Sequence, residues 1–242
     1  DDTLIHCNKY FVHVLQQFEE WMHRLFSPYG FGKEKIMRIQ AEIDIAAVQK
    51  DGFKKTHFPQ SLLDTYRYFS LRCGRTPNDK ELDDLWELGH SVFTQTVEPY
   101  PMMEETLKQL TRDGHHLYLY TGGDYDVQYG KIDRLDLKRF FGDHIFITER
   151  KDKHSLERIL HERSLDRNMT WMIGNSLRTD ILPAIQSRIH AIFIPAELEW
   201  EYNRIEIDDK QQGAFLTLQK LSEVPKAIRL FFQQQDAVRS FL

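Results

Sequence analysis

Several features are scarce in this sequence, and each scarcity excludes a class of protein. The 242 residues include only two cysteines, Cys7 and Cys73, which are too few for a disulfide framework or a cysteine-rich zinc site. Apolar runs are short and broken by charged residues, so none reaches the roughly 18 residues of a membrane span. Basic residues are not in excess, because 37 Asp and Glu stand against 32 Lys and Arg. Nucleic acid and membrane are therefore not expected as partners.

The eleven histidines do not form a metal-binding pattern, since none falls into H-E-x-x-H or a similar spacing. His115 and His116 open a predicted strand and are not expected to bind a metal. No signal peptide is recognisable before the first acidic residues. Together with the scarcity of cysteine, this predicts a protein of the reducing cytoplasm.

From about Tyr10 to Val97 the sequence has the periodicity of helices. Four apolar runs recur at intervals of three or four residues, and Asn78 with Glu81 three residues later has the spacing of a helix N-terminus. Because no strand pattern interrupts this stretch, it predicts a small helical bundle whose core these residues form. The runs are Tyr10, Phe11, Val14, Leu15, Phe18, Trp21, Met22, Leu25 and Phe26; Ile36, Ile39, Ile43 and Ala47; Leu62, Tyr66 and Phe69; and Leu82, Leu85, Trp86, Val92 and Phe93.

After Pro101 the pattern changes to short apolar strands that alternate with helices. Strands separated by helices pair in parallel through right-handed crossovers, and helices then cover both faces of the sheet. The fold class is therefore α/β, a Rossmann-like parallel sheet with helices on both faces, beside an all-helical domain. The predicted strands are Leu117–Tyr120, His144–Ile147, Thr170–Ile173 and Ala191–Ile194.

Polar residues follow these strands at the positions where such sheets bind ligands, beyond the carboxyl ends of the strands. Thr121, Gly122 and Gly123 come after the first strand, and Gly174–Asp180 comes after the third. Between them, just before a helix, lies Arg150–Lys153. A hydroxyl group, a lysine and an Asn/Asp pair should thus meet at one edge. Phosphoryl transfer uses such a set, although a nucleophile is missing from it.

The first four residues, Asp1-Asp2-Thr3-Leu4, bear on the missing nucleophile. They resemble the end of D-L-D-D-T-L, the first motif of the haloacid dehalogenase superfamily. The later motifs of that superfamily also have counterparts here, in order: Thr121 at a strand end, a lysine before a helix, and Gly174–Asp180 with asparagine in the first acidic position. The resemblance covers residues 1–8 and about 100–195, and the helical block stands where the family inserts its cap.

This resemblance implies a magnesium-dependent phosphatase and gives each motif residue a role. Asp1 matches the general acid/base, and its backbone carbonyl would be a ligand of Mg²⁺. Asn175 and Asp180 match the other metal-binding positions. Thr121 and Gly122 match the residues that bind the phosphate of the substrate, expected to be a small phosphorylated metabolite.

The motif lysine and the domain boundaries also follow from the resemblance. Lys151 fits the downstream apolar spacing better, and Lys153 is the alternative. In the family arrangement residues 1–9 and 99–242 form the hydrolase core, and residues 10–98 form a helical cap that closes over the site. The sequence does not indicate the oligomeric state.

The nucleophilic aspartate of the first motif is expected two residues before Asp1, outside this sequence. In the family, the strand that carries it lies between the strands predicted here as Leu117–Tyr120 and Thr170–Ile173. We therefore expect about six to ten upstream residues, mostly β-branched or aromatic. Since that strand would separate them, the strands at 117–120 and 170–173 should not pair directly with each other.

Two other classes of function remain open at this point. The superfamily also contains 2-haloacid dehalogenases that act without a metal, but these usually lack the acid/base aspartate that Asp1 matches. A non-catalytic binding protein that keeps the fold without a nucleophile is the second alternative.

Overall fold

The computed structural model describes residues 1–207 and 213–239, and its first part is helical. Four α-helices pack around one apolar core, which confirms the predicted bundle. The division into domains at residues 9/10 and 98/99 stays a prediction. The helices are α1 Asn8–Phe26, α2 Lys33–Asp51, α3 His57–Arg72 and α4 Asp79–His90. Fully buried core residues include Phe18, Met22, Phe26, Ile36, Leu62, Tyr66, Phe69 and Leu85.

Helix α2 buries a face that is offset from its predicted apolar run. Ile36 is buried as predicted and Ile39 packs against the bundle core, but the prediction was wrong for Ile43 and Ala47. Its buried residues are Ile36, Gln40, Asp44 and Val48, whereas Ile39, Ile43 and Ala47 are only half-buried. Gln40 Nε2 donates a hydrogen bond of 2.9 Å to Ser61 Oγ on α3, and such pairing makes the burial of polar groups tolerable. Burial also raises the pKa of the Asp44 carboxyl to about 7, since desolvation disfavours the charged form.

The predicted start of α4 is confirmed by its N-cap. Asn78 Oδ1 accepts a hydrogen bond of 3.2 Å from the Glu81 backbone N–H, which satisfies one of the free donors at a helix N-terminus. The Glu81 carboxylate does not accept a hydrogen bond from the Asn78 backbone N–H, which donates to the Tyr66 hydroxyl group instead. The carboxylate pairs with Arg75 at 2.7 Å and accepts from the Tyr66 hydroxyl group, so the cap also joins α4 to α3.

The second part of the chain contains parallel strands, as predicted. Among the described residues they form two sheets, one with the order β1-β2 and one with the order β3-β4-β5. Strand β1 extends two residues beyond its predicted end, so Thr121 and Gly122 belong to the strand itself. Strand β5 was not predicted. The strands are β1 Leu119–Gly122, β2 Ile145–Thr148, β3 Trp171–Gly174, β4 His190–Phe193 and β5 Phe215–Thr217.

Helices cover the strands through two separate apolar clusters, which confirms the predicted three-layer α/β arrangement. The first cluster joins the strands to α5, α6, α7 and α10, and the second joins them to α8 and α9. Within residues 1–207 and 213–239, no helix is both long and apolar enough to cross a membrane. These helices are α5 Met103–Arg112, α6 Tyr125–Arg134, α7 Lys138–Phe141, α8 Lys153–Glu162, α9 Leu182–Gln186 and α10 Val224–Arg239.

Strands β1 and β3 are not hydrogen-bonded neighbours. In the described part of the chain β1 pairs with β2 and β3 pairs with β4, both in parallel. This separation agrees with the expectation that the two strands do not pair directly. The upstream strand that the resemblance places between them stays a prediction.

The two parts of the molecule are joined by chain segments that run side by side. Ile5 and Pro99 form an antiparallel bridge. On either side of it, His6 N donates to Glu98 O at 2.8 Å and Tyr100 N donates to Leu4 O at 2.9 Å. The helical part therefore leaves and rejoins the α/β part at one point.

Two helical glycines allow a matched test of the packing. A Cβ at Gly89 in α4 would lie 2.6 Å from Pro59 Cα, whereas a Cβ at Gly130 in α6 would meet no atom within 4 Å. We expect Gly89→Ala to lower the free energy of unfolding by about 1–3 kcal/mol through overpacking. Gly130→Ala should raise it by about 0.5–1 kcal/mol, because alanine favours helices. Urea denaturation measures both, and a stabilised Gly89→Ala variant would contradict the packing.

Candidate active site

The segment after β3 turns sharply into a π-helical turn, Leu177–Ile181. Ser176 caps this turn, because its Oγ accepts a hydrogen bond of 3.0 Å from Thr179 N and donates one of 2.9 Å to Asn203 Oδ1. Single π-helical turns are frequent at functional sites. The turn directs Asp180 back toward the end of β3.

Asp180 lies directly over Gly174. Its Oδ2 accepts a hydrogen bond of 3.0 Å from Ser176 N, and the residue is 2% exposed. A Cβ added at Gly174 would lie 2.2 Å from Asp180 Cγ. Two carbon atoms that are not bonded to each other do not come this close. The motif therefore needs glycine at this position so that the carboxylate can reach the end of the strand.

Lys151 forms an ion pair with Asp180 Oδ1, and its Nζ lies 4.9 Å from the centre of the Tyr120 ring. Burial raises the pKa of the Tyr120 phenol above its ordinary range, so this ring stays neutral beside the lysine. Lys153, the alternative motif lysine, is exposed at the start of α8. The structure thus brings Lys151, and not Lys153, to the end of β3, where its ion-pair partner is Asp180.

Asn175 connects the first and last motifs. Its side chain is buried, and its Oδ1 accepts a hydrogen bond of 3.2 Å from Thr3 Oγ1. Residues that are 172 positions apart in the sequence are therefore in contact. The expectation that these motifs lie at one edge agrees with this contact.

The two N-terminal aspartates have different environments. Asp2 is buried, and its Oδ1 accepts hydrogen bonds from Cys7 N at 3.0 Å and Asn8 N at 3.2 Å. It thus satisfies free donors at the start of α1. The Asp1 carboxylate, in contrast, does not cap α1 and contacts Gln128 and Lys131 on α6.

Thr121 and Asp1 share a neighbour on α6. Gln128 Nε2 donates to Thr121 Oγ1 and, at 3.3 Å, to Asp1 Oδ2. Lys131, three residues further along the same helix, contacts both carboxylate oxygens of Asp1 at 2.8 and 2.9 Å. An amide and an ammonium group therefore hold the carboxylate next to the threonine.

Neither Gln128 nor Lys131 was predicted from the sequence as a site residue. Their spacing of three residues places both on one face of a helix, but many polar pairs have that spacing. What distinguishes them is the position of α6, which starts after the Asp124 N-cap. If the start of α6 at Asp124 had been predicted, Gln128 and Lys131 could have been placed next to the site.

The helical part of the molecule covers this edge of the sheet. The Phe53 ring lies 3.0 Å from the position of a Cβ at Gly122, and Phe53 N donates to Glu149 O at 2.7 Å. The ring also packs against Trp200 and Tyr202, with centroid distances of 6.3 and 6.0 Å. Gly122 therefore lies beneath Phe53. A cap over the site was expected from the family resemblance, but its contact residues Phe53, Trp200 and Tyr202 were not predicted.

The oxygen atoms at this edge are chemically suited to a hard cation. Within the described ranges, no three or more His, Cys, Asp or Glu side chains group as a metal site. The oxygen ligands expected from the family resemblance are instead the Asn175 amide oxygen, the Asp180 carboxylate and the backbone carbonyl of Asp1. Asp180 Oδ1 is buried and pairs with the Lys151 ammonium group. A carboxylate oxygen has more than one acceptor site, so Oδ1 can bind a cation in addition to Lys151.

Comparison with known proteins relates this arrangement to one family of hydrolases. The family model described as haloacid dehalogenase-like hydrolase matches residues 37–194. A curated relative, the glyceraldehyde 3-phosphate phosphatase of Methanothermobacter thermautotrophicus, is 25% identical over 140 residues, which are 56% of this chain and 62% of the relative. The match thus spans less than two thirds of that relative's length.

Solved structures share the fold at lower sequence identity. A haloacid dehalogenase-like hydrolase of Xanthomonas campestris has a TM-score of 0.76 and 21% identity over 97% of this chain and 89% of its own. A related hydrolase of Bacillus subtilis, bound to magnesium, has a TM-score of 0.62 and 15% identity over 94% and 95% of the two chains. The L-2-haloacid dehalogenase of Xanthobacter autotrophicus has a TM-score of 0.52 and 12% identity over 94% of each chain.

The contact between Gly174 and Asp180 gives a prediction that does not depend on function. Gly174→Ala should lower the free energy of unfolding by about 1–3 kcal/mol because of the clash. The same change should cost less in an Asp180→Ala background, where the two atoms at 2.2 Å are gone and only the Cβ, 2.6 Å from the added methyl group, remains. A double-mutant cycle by urea denaturation measures this coupling. Gly130→Ala is the control and should not couple to Asp180→Ala. Additive effects at Gly174 and Asp180 would contradict the contact.

Proposed function

The chain belongs to the haloacid dehalogenase-like hydrolases, and we propose that it is a cytoplasmic, magnesium-dependent phosphatase that hydrolyses a small phosphate monoester. One observation carries the proposal. The Asp180 carboxylate is buried over Gly174 next to the Lys151 ammonium group, while Asn175 contacts Thr3. Oxygen ligands for a cation and a cation for phosphate oxygens therefore meet at one edge.

The donors at this edge fit Mg²⁺, which prefers oxygen ligands and is often held by few carboxylates. The buried Asp180 carboxylate, which can accept more than its contacts with Lys151 and Ser176 N, supports this assignment. Asn175, Asp180 and the backbone carbonyl of Asp1 would hold the ion. When bound, the ion would supply positive charge against the phosphate oxygens.

The proposed reaction needs a nucleophile, which the family resemblance places two residues before Asp1, outside this sequence. That aspartate would attack phosphorus, so that a new O–P bond forms and the P–O bond to the alcohol breaks. Asp1 donates a proton to the departing alkoxide and later removes one from the water that cleaves the aspartyl-phosphate. Thr121 and Lys151 stabilise the phosphate oxygens by hydrogen bonding and charge.

The cover above Gly122 supports a small substrate. Phe53, Trp200 and Tyr202 pack against one another over the edge, and such a cover excludes water and selects the leaving group. The relative that acts on glyceraldehyde 3-phosphate is consistent with a small phosphorylated metabolite as the substrate. Neither nucleic acid nor a membrane is part of the proposal.

Dehalogenation is the competing activity, because dehalogenases share this fold. Asp1 favours phosphatase chemistry, since a leaving halide needs no proton whereas a leaving alkoxide does. Assays of halide release from 2-haloacids and of phosphate release from phosphate esters distinguish the two. Halide release without phosphate release would reject the proposal.

The first functional prediction concerns the metal and the acid/base. The full-length protein should hydrolyse an aryl phosphate with Mg²⁺, and EDTA should abolish the reaction. Asp1→Asn should reduce kcat by about 10²–10⁴-fold, because it removes proton transfer to the leaving group. Circular dichroism checks that the variant is folded. Unchanged turnover in Asp1→Asn would remove Asp1 from the mechanism.

The second functional prediction separates the two candidate lysines. Lys151→Ala should reduce kcat/KM by about 10²–10³-fold, the typical loss when a preorganised group that stabilises developing charge is removed. Lys153→Ala is the matched control and should be nearly unaffected, because its side chain is exposed on α8. A larger loss in Lys153→Ala than in Lys151→Ala would show that Lys153, and not Lys151, is the motif lysine.

A further inference from the structure

Gln128 is a buried amide whose donor group faces two residues of the proposed site. It is 4% exposed and lies on α6, outside the residues to which the motifs assign a role. Its Nε2 donates to Thr121 Oγ1 and, at 3.3 Å, to Asp1 Oδ2. An amide nitrogen carries two hydrogen atoms, so both bonds can form at once.

The Asp1 carboxylate fixes the orientation of this amide. In this structure the Lys131 ammonium group donates to both oxygens of Asp1, as it does to a carboxylate that only accepts hydrogen bonds. The amide nitrogen of Gln128, and not its amide oxygen, therefore faces Asp1. The same nitrogen contacts Thr121, whose hydroxyl oxygen is therefore the acceptor in that bond. The hydroxyl proton of Thr121 is then not used by Gln128 and can be donated to another group.

The backbone at Gly123 makes this approach possible. Gly123 has a φ of +153°, and a Cβ at this position would lie 2.7 Å from Gln128 Cγ and 2.9 Å from Gln128 Cδ. A side chain at residue 123 would thus displace the amide. The N-cap of α6, where Asp124 accepts from Val127 N, sets the helix start that brings Gln128 over the strand end.

We propose that Gln128 is a positioning residue that orients the Thr121 hydroxyl group so that its proton points to the substrate phosphate. The inference rests on the proposed phosphatase function. By accepting from Gln128, Thr121 presents a donor rather than a lone pair to the phosphate oxygen. Gln128 itself does not contact the phosphate.

Two substitutions test the polarity of this contact. Gln128→Met keeps the approximate size but removes the donor, so kcat/KM for an aryl phosphate should fall about 10- to 100-fold. Gln128→Glu should cost more, because a carboxylate accepts the Thr121 proton and repels the phosphate. Gln60→Met is the matched control: this amide on α3 donates to Asp64 Oδ1 at 2.8 Å and should not affect kcat/KM.

A double-mutant cycle separates positioning from a structural role. In a Thr121→Val background, which has no hydroxyl group to orient, Gln128→Met should cause little further loss. In Thr121→Ser, which keeps the hydroxyl group, the full loss should return. An equal cost of Gln128→Met in all three backgrounds, or no cost in any of them, would overturn the inference. If Gln128→Met does not fold, Gln128→Leu, which also lacks the donor and adds no charge, carries the same cycle.

Binding of inorganic phosphate gives a readout that does not require turnover. The Kd measured by calorimetry with Mg²⁺ present should rise in Gln128→Met and should not rise further in Gln128→Met/Thr121→Val than in Thr121→Val. If the full-length protein binds phosphate but hydrolyses no ester, the proposed function fails while this cycle still tests Gln128. A protein that neither binds nor hydrolyses phosphate would overturn both.

Discussion

The close approach of the Asp180 carboxylate to the backbone of Gly174 is the constraint on which the site depends. It requires a residue without a side chain at the end of β3 and a π-helical turn that directs Asp180 backwards. It also requires the Ser176 amide to hold one carboxylate oxygen, at 3.0 Å. The other oxygen is then left for Lys151. One steric contact therefore links the glycine at 174, the π-helical turn and both partners of the Asp180 carboxylate, which are Ser176 N and Lys151.

A second constraint is the way in which the helical part covers this edge. It is anchored where Ile5 pairs with Pro99 and touches the sheet edge again through the loop after α2. A Cβ at Gly52 would lie 2.6 Å from Glu149 O, and Phe53 packs over Gly122. Covering of this kind removes water from the site, so charges such as the pair Lys151–Asp180 interact more strongly than they would at the surface.

The arrangement of α2 shows where sequence patterns lose information. Apolar spacing identified the helix but not its buried face, which carries Gln40 and Asp44 in place of Ile43 and Ala47. Gln40 is accepted in the interior because Ser61 on α3 supplies an acceptor. Periodicity counts apolar residues along one segment and contains no information about a partner on another helix.

The sequence by itself determined the helical block, the four alternating strands after Pro101 and the family motifs, because each of these is encoded in a short stretch of chain. It placed Thr121 and Gly174 just after their strands, whereas the structure includes both residues in β1 and β3. Spacing favoured Lys151 over Lys153, but the ion pair with Asp180 distinguishes the two in space. The tertiary structure alone revealed Gln128 beside Asp1, and Phe53 over Gly122. These contacts join residues 127 and 69 positions apart. Such neighbours follow from how helices and loops pack, and no local spacing specifies that packing.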